Sequence, residues 1–592
     1  YGNTGVGYSA LIGITSGNDN TAVGTNAGDS ITTGYQNTIM GTLAGPNLTT
    51  GFGNVIIGRA AGYASTDVDK TVIIGEQAAY TGNMTSAADG TVSIGANAGK
   101  NVTSAAGSTF VGYGAGALVT TGNYNTAFGY SAGNSLTTAT ETVLVGYYAG
   151  YNATGSSGTG VAIGSNAGRE QKIGGSVYIG RYGGYKPSGN YAGGSNIAMG
   201  YHAMYTIKNG AQGNIAIGRN SGQNLDGHDV TYQGSFNTFL GYIVGSSMRS
   251  GSYNVAIGGH YGGGAMYHLR DGLGNVAIGV QAMKGGDVDG QKPQHNVMLG
   301  WGAGSGQSLM KTPTYNVGAG YLALQKLVDQ DYSVGIGYQA GRYATGSYNT
   351  FVGGDAGLGG TTSAPYSSGI RNTAIGYQAL TSFTTGNNNN SIGYFSGQNI
   401  TEGEQNNLIG YYAGNSITTG DSNVALGHSA LQSVTTTDGG VAVGHQAFLS
   451  RTVSHGVAVG HKAGYAGGGQ DAVYISDRAG ENAGSTSNYN VGIGNWALRY
   501  NVTGDNNVAI GRVSQMGISG KSHSDNTSVG YESLKYIVGS DSVGIGSAAG
   551  LNATGSYNTF VGSEAGKGGT TSAPYSSGQY NIAVGYKALT GF

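Results

Sequence analysis

Asn507-Val508-Ala509-Ile510-Gly511 is a five-residue phrase that the rest of the chain restates at a nearly constant spacing. Asn54 to Gly58, Asn125 to Gly129, Asn214 to Gly218, Asn275 to Gly279, Asn372 to Gly376 and Asn581 to Gly585 follow the same rule. Each reads Asn, a β-branched or small residue, Ala or another apolar residue, a large aliphatic or Phe, and Gly. With that Gly as a mark, the usual step is 17, as from Gly7 to Gly24, Gly41, Gly58 and Gly75. No step is shorter than 16 and the longest reach 23 (376 − 353, 585 − 562), once Ser476 in Val473-Tyr474-Ile475-Ser476 is counted in the Gly place. Steps that lengthen freely but never shorten are what a solenoid allows, because one coil can bulge outward but cannot be cut.

Within a period, Asn-Val-Ala-Ile is a short β-branched run closed by Gly, which predicts a strand of four or five residues and then a turn. A second small patch follows, either Ala-Gly (Ala44-Gly45, Ala132-Gly133) or Ala-Leu (Ala379-Leu380, Ala430-Leu431), and then a polar return such as Ile31-Thr32-Thr33-Gly34. Seventeen residues are too few for a strand plus a helix and too many for a plain hairpin array. The expected fold is therefore all-β, a parallel β-solenoid with one coil per period. Residues 1–592 read as one continuous repeat body, and about thirty-three coils at about 4.8 Å each predict a rod on the order of 160 Å. The chain opens at Tyr1 in mid-repeat, which reads as a processed or truncated piece of something longer.

Composition excludes several classes. Gly supplies 117 residues with only 6 Pro and no Gly-X-Y period, so the glycines serve turns and not a collagen helix. Charged residues make up 9% and the 26 basic and 28 acidic groups nearly cancel, so there is no basic stripe for nucleic acid. With 43 Tyr the chain is not composed like a disordered one. No cysteine is present, which removes disulfides and thiol chemistry. No apolar run approaches 18 residues, so no membrane insertion is expected in this segment.

Strand side chains alternate, so Val508 and Ile510 share one face while Asn507 and Ala509 share the other. We expect Val508 and Ile510 to fill the coil interior. The opposite face is also apolar at its middle position (Ala127, Ala374), so it must meet a further surface. Two further copies of the same chain, packed along a common axis, would supply it. Whole blocks are copied as well: Ser333 to Gly341 and Tyr348 to Gly353 return at Ser542 to Gly550 and Tyr557 to Gly562, a shift of 209, and the insertion Gly359 to Gly369 recurs letter for letter at Gly568 to Gly578.

The phrases Asn372 to Leu380 (NTAIGYQAL) and Asn214 to Gly222 (NIAIGRNSG) resemble the head repeats of trimeric autotransporter adhesins and the related repeats of bacteriophage tail fibres. The resemblance implies a left-handed parallel β-roll, three chains side by side, used for attachment. The 17-residue coil is longer than the usual adhesin head repeat, and no heptad stalk, anchor barrel or tip chaperone segment is legible.

No Ser/His/Asp arrangement, carboxylate pair or phosphate-cradling loop stands out, so an enzyme is not expected, and neither is a cofactor. Asp287-Val288-Asp289-Gly290 lacks the ligand series of a calcium loop. His428, His445 and His461 follow the motif Gly in three consecutive coils and should form a column about 4.8 Å apart, suited to a metal, an anion or a pH response, or simply to solvent. Elsewhere that position is often Tyr (Tyr130, Tyr147, Tyr377, Tyr394), and exposed ring faces would suit sugars. Recognition is expected where coils throw loops: Tyr366 and its copy Tyr575, each following a Pro, and His228, Asp229 and Tyr232 in the excursion from Gln223 to Phe236. The functional expectation is a fibre shaft attaching to a cell-surface glycan or protein receptor. The reading favours an extracellular virion fibre; the alternatives are the head of a bacterial surface adhesin and a single-chain ice- or glycan-binding solenoid.

Overall fold

The computed structural model describes the chain except residues 154–158, 172–173, 186–192, 208–209, 226–233, 287–291, 307–310, 364, 451–453 and 570–574. Each period forms one strand, and the strand is short: most span three residues, such as Val508–Ile510, and a few span four, such as Ala472–Ile475. Every pairing is parallel and in motif register, so that Val491, Gly492 and Ile493 lie beside Val508, Ala509 and Ile510. The only helical element among the described residues is one 3-10 turn at Ser86–Ala88, and no helix is long and apolar enough to cross a membrane. The chain divides into two compact units, one spanning Tyr1–Gly302 and the other built mainly from Pro313–Phe592. Among the described residues the first carries seventeen strands, from Thr4–Val6 to Val297–Leu299, and the second sixteen, from Val317–Ala319 to Ile582–Val584. Both are parallel β-solenoids.

The coil interior is the reverse of the expectation. Ala509 is fully buried, while Val508 is half-exposed and Ile510 is 38% exposed on the outer face of the sheet. The same inversion runs through both units: Ala127, Ala374 and Ala425 point inward with Asn125, Asn372 and Asn423. The physical reason is volume. A 17-residue coil encloses a thin core that the opposite wall already fills, and strand centre and second patch trade size across it. In the coil of Leu408 the facing position is Gly414, where a Cβ would stand 2.8 Å from the Leu408 methyls. In the next coil the strand centre shrinks to Ala425 and the patch grows to Leu431. Phe351 is likewise accommodated by Gly341 and Gly357, whose Cβ atoms would lie 2.6 and 2.1 Å from its ring. This exchange accounts for the two flavours of second patch. Close packing of this kind keeps void volume low without requiring large groups on both walls.

The return segment contributes core that was read as polar. Ile31, Leu48, Ile400, Ile417 and Val434 each open a Thr-rich return and are fully buried. Their recurrence eleven residues after the motif Asn was the available signal.

The Asn column behaves as amides stacked in register should. Asn406 Nδ2 donates to Asn389 Oδ1 (3.1 Å) and to the Gly420 carbonyl (2.8 Å), and its Oδ1 accepts from both the backbone N–H and the Nδ2 of Asn423 (3.0 Å each). All of its polar capacity is thus used inside a buried column. Replacing Asn406 by Ala orphans the Gly420 carbonyl and the two donors of Asn423. At about 1–3 kcal/mol per orphaned group, the expected loss is on the order of 3 kcal/mol or more. Thermal unfolding followed by circular dichroism checks it, and a change under about 0.5 kcal/mol would contradict the account of the column.

Candidate functional site

The motif Gly turns the chain out of the sheet, with φ near +130 at Gly376, Gly393 and Gly410, and the next side chain is delivered to the outer surface. Because the coils are in register, those side chains form a lane. In the second unit Tyr377, Tyr394 and Tyr411 stack at 5.5 and 5.3 Å between ring centroids, and the stack continues into His428 (4.9 Å), His445 (4.9 Å) and His461 (5.3 Å). It ends on a carboxylate: His461 Nδ1 lies 2.7 Å from Asp477 Oδ1, and Asn495 Nδ2 donates to Asp477 Oδ2 at 2.8 Å. In the first unit Tyr113, Tyr130 and Tyr147 repeat the pattern at 5.1 and 5.5 Å.

The predicted column of His428, His445 and His461 therefore forms, but as parallel rings and not as donors converging on a point. Among the described residues no cluster of three or more His, Cys, Asp or Glu side chains is placed to hold a metal ion. Partial burial, followed by the charges of His428, His461 and Lys462, pushes the His445 pKa below the usual histidine value.

The tyrosine lane also differs from its expected chemistry. The rings cover one another's faces, so within an uninterrupted stretch the surface offers ring edges and hydroxyls. Gln339 Nε2 donates to the Tyr338 hydroxyl (2.9 Å) and Gln378 Nε2 to the Tyr377 hydroxyl (3.2 Å), so the residue after each Tyr steadies it. Only an end of a stack, or a break in one, exposes an aromatic face.

Neither loop tyrosine stands free. Tyr366 is half-buried, packed 6.4 Å from the Tyr343 ring with the Lys326 ammonium 5.2 Å from its own ring, and Tyr575 stacks on Tyr536 at 4.6 Å. Both insertions fold back because Ser367 and Ser576 bridge to Ala344 and Ala553, returning the chain to the coil. The expectation of outward-pointing anchors is corrected to that extent. His228, Asp229 and Tyr232, together with Asp287 to Gly290, lie outside the described residues.

Two clusters escaped the sequence reading. Arg169 lies over Tyr148 and Tyr151 at 5.0 and 5.6 Å, on a lane one position beyond the tyrosines, and the aromatic residues spaced two and five after the motif Gly were its signal. His523 is buried, and neither of its ring nitrogens has a partner. It stands where other coils carry Gly403 or Gly420, and its carbonyl takes their role by accepting Asn507 Nδ2 at 2.8 Å. Desolvation pushes its pKa down to about 4, from 6.5. The unfolded chain thus binds the proton more readily. Stability is full above about pH 6.5 and falls as the pH drops toward 4, by about 3 kcal/mol at 1.36 kcal/mol per pKa unit. The expected result is that His523→Leu removes this part of the acid sensitivity, read as the difference between wild-type and variant melting temperatures at pH 7 and pH 4. An unchanged difference would count against it.

No protein-family model matches this chain, and no curated protein matches it.

Proposed function

We propose that the chain is the shaft of an attachment fibre, working as a parallel homotrimer outside the cell, and most simply as part of a bacteriophage tail fibre. The observation that carries this reading is the outer face of the sheet. Its two outward columns, represented by Val508 and Ile510, run through every strand, and among the described strands neither column holds a charged residue. Ile336, Ile375, Ile409, Ile510 and Ile545 are each 38–43% exposed in the single chain. Charge begins again in the flanking turns, at Lys70, Glu141 and Arg371 before the strand and at Arg59, Glu76 and Arg512 after it. The Ile510 column is apolar and the Val508 column alternates aliphatic residues with Thr and, at Asn390 and Asn407, Asn; an uncharged ribbon with this strand-spaced repeat is best covered along its length by a partner with the same repeat, and another copy of this chain has it.

The copied block supports the same assignment of faces. Over 333–369 and 542–578 the copies differ only at Tyr338/Ser547, Gln339/Ala548, Arg342/Leu551, Tyr343/Asn552, Gly354/Ser563, Asp355/Glu564 and Leu358/Lys567. Every difference lies one to six residues beyond a motif Gly, in the turn outside the strand, and two of them, Tyr338/Ser547 and Gly354/Ser563, are on the lane itself. The strands, with both outward columns of the sheet, are unchanged, as befits a covered face, while the turn after the motif Gly varies, as befits a surface that meets a receptor. The receptor would be a cell-surface glycan or protein, and no reaction, cofactor or nucleic acid enters the role. Three chains and the left-handed winding follow the resemblance to adhesin heads and tail fibres. The long coil and the copied blocks favour the fibre; the repeat phrase Asn372 to Leu380 equally supports the head of a bacterial surface adhesin.

The test is the mass of the purified chain by light scattering, together with its adsorption to intact bacterial cells. A species of three times 59.4 kDa that adsorbs saturably is expected. A monomer, or a trimer that adsorbs to no cell, overturns the corresponding half.

A further inference from the structure

Between Tyr321 and His461 the aromatic lane of the second unit has one missing rung. In successive coils it reads Tyr321, Tyr338, Gly354, Tyr377, Tyr394 and Tyr411, on strands paired one after another. On one side of the gap Tyr321 and Tyr338 stack at 5.4 Å with planes 8° apart; on the other, Tyr377 and Tyr394 stack at 5.5 Å and 22°. Tyr338 and Tyr377 therefore turn uncovered faces toward each other across Gly354. A Cβ placed on Gly354 would meet only the edge of the Tyr377 ring, Cδ2 at 3.3 Å and Cε2 at 3.6 Å, with no other atom within 4 Å. Tyr338 is accordingly 55% exposed, against 42% for Tyr321, while Tyr377, whose ring edge approaches Gly354, is 46% exposed, like Tyr411 at 47% inside the stack. The gap spans two strand steps, about 9.6 Å, so a ring at its centre stands about 4.8 Å from each wall. That is the spacing at which the lane already stacks its own rings.

The rim of this slot is polar. The hydroxyls of Tyr338 and Tyr377 accept from Gln339 and Gln378, which leaves their own protons free to donate outward. The half-buried Asp355 carboxylate follows Gly354 directly, with Gln378 Nε2 at 3.5 Å. Two apolar walls one ring apart, with donors and a carboxylate along the edge, suit a guest that is apolar on both faces and hydroxylated around its circumference. We infer that the slot over Gly354 binds one hexopyranose ring of gluco configuration, with Tyr338 and Tyr377 against its two faces and Asp355 and the tyrosine hydroxyls on its equatorial hydroxyls. All-equatorial substitution leaves C–H groups on both faces, whereas an axial hydroxyl, as in a galacto or manno ring, places a polar group against one wall, where it loses its water without gaining a partner. The copied block lacks the slot, because Ser547 and Ser563 stand in the places of Tyr338 and Gly354.

This inference rests on the attachment reading and names the ligand class for it. The experiment uses the full chain with methyl β-D-glucopyranoside and methyl β-D-galactopyranoside, followed by saturation-transfer NMR and titration. The wild-type chain is expected to bind the glucoside saturably and the galactoside more weakly by up to about tenfold, since each lost ring face is worth up to roughly a tenfold change. Gly354→Tyr completes the ladder at a position whose backbone accepts a side chain, and should abolish glucoside binding with melting temperature and solution mass unchanged. Tyr338→Ser, which imitates the copy, should weaken it by up to about tenfold. Equal binding of the two glycosides, unsaturable binding, or full binding by Gly354→Tyr overturns the slot. Cell adsorption measured on the same variants separates the two readings: a Gly354→Tyr chain that binds no glucoside yet adsorbs fully leaves attachment standing and removes this slot from it, whereas a wild-type chain that binds glucoside and adsorbs to no cell does the reverse.

Discussion

Replacing Gly393 by Ala is expected to abolish stacking at its coil, with a loss on the order of 4 kcal/mol or more and new protease cleavage between the coils on either side. The Gly393 backbone has φ +135, where an L side chain is strained, and the added Cβ would lie 2.4 Å from the carbonyl oxygen of Gly410 and 2.7 Å from its carbon. Both obstacles are backbone, and the Gly410 backbone is in turn tied to its neighbours: its N–H donates to the Ile392 carbonyl at 2.8 Å. The clash therefore cannot be relieved by moving a flexible side chain. Gly520→Ala is the control that separates torsion from space. Gly520 has φ +75, and an added Cβ there would meet nothing within 4 Å, so the variant should lose only about 1 kcal/mol. Limited proteolysis with mass spectrometry and thermal melts on both variants decide the matter; equal effects would mean that torsion alone, and not the close approach of successive coils, excludes side chains from the motif position. Ser476 is the natural exception. It occupies the motif position at φ +109, at the low end of a range that Gly258 (+105) and Gly180 (+113) share, at the cost of local strain.

If the proposed trimer forms, placing Lys on the outer sheet face, at Ile375 and Ile409 together, should turn it into monomers while leaving each chain folded. Both residues are 38% exposed in the single chain, so their replacement empties no core, and intrachain stability should change by less than about 1 kcal/mol. In the proposed trimer the same positions would face other copies, and unpaired ammonium groups buried there would cost several kcal/mol each, multiplied by the symmetry. The matched control places Lys at Tyr394 and Tyr411, on the lane that remains free in the proposed assembly, and should leave the trimer intact. Light scattering reads the mass, and circular dichroism reads the fold. A persisting trimer in the Ile375/Ile409 variant would remove the sheet face from the interface, and dissociation caused by the lane control would move the interface there.

The period and the Asn column are the parts of this protein that its sequence determined. A 17-residue step admits one strand per coil, register follows from the alignment of identical residues, and a buried amide in every coil finds its partners only in the coil above and the coil below. The exclusion of charge from positions such as Val508 and Ile510 is equally legible, and so is the lane that places His428, His445 and His461 in file. What alternation leaves undecided is which face of a strand is the inside, since Ala509 and its two aliphatic neighbours are compatible with either. Only the tertiary structure decided it, because the answer depends on how much of the thin core is already taken by Leu431, Ile417 and Phe383 arriving from the rest of the coil. The same holds for the aromatic lane. Sequence placed the tyrosines in line, but stacking ring on ring hides their faces and transfers the interest from the tyrosines that are present to the one that is missing over Gly354. Local pattern sets what each residue prefers, whereas shared volume and shared surface belong to neighbouring coils together.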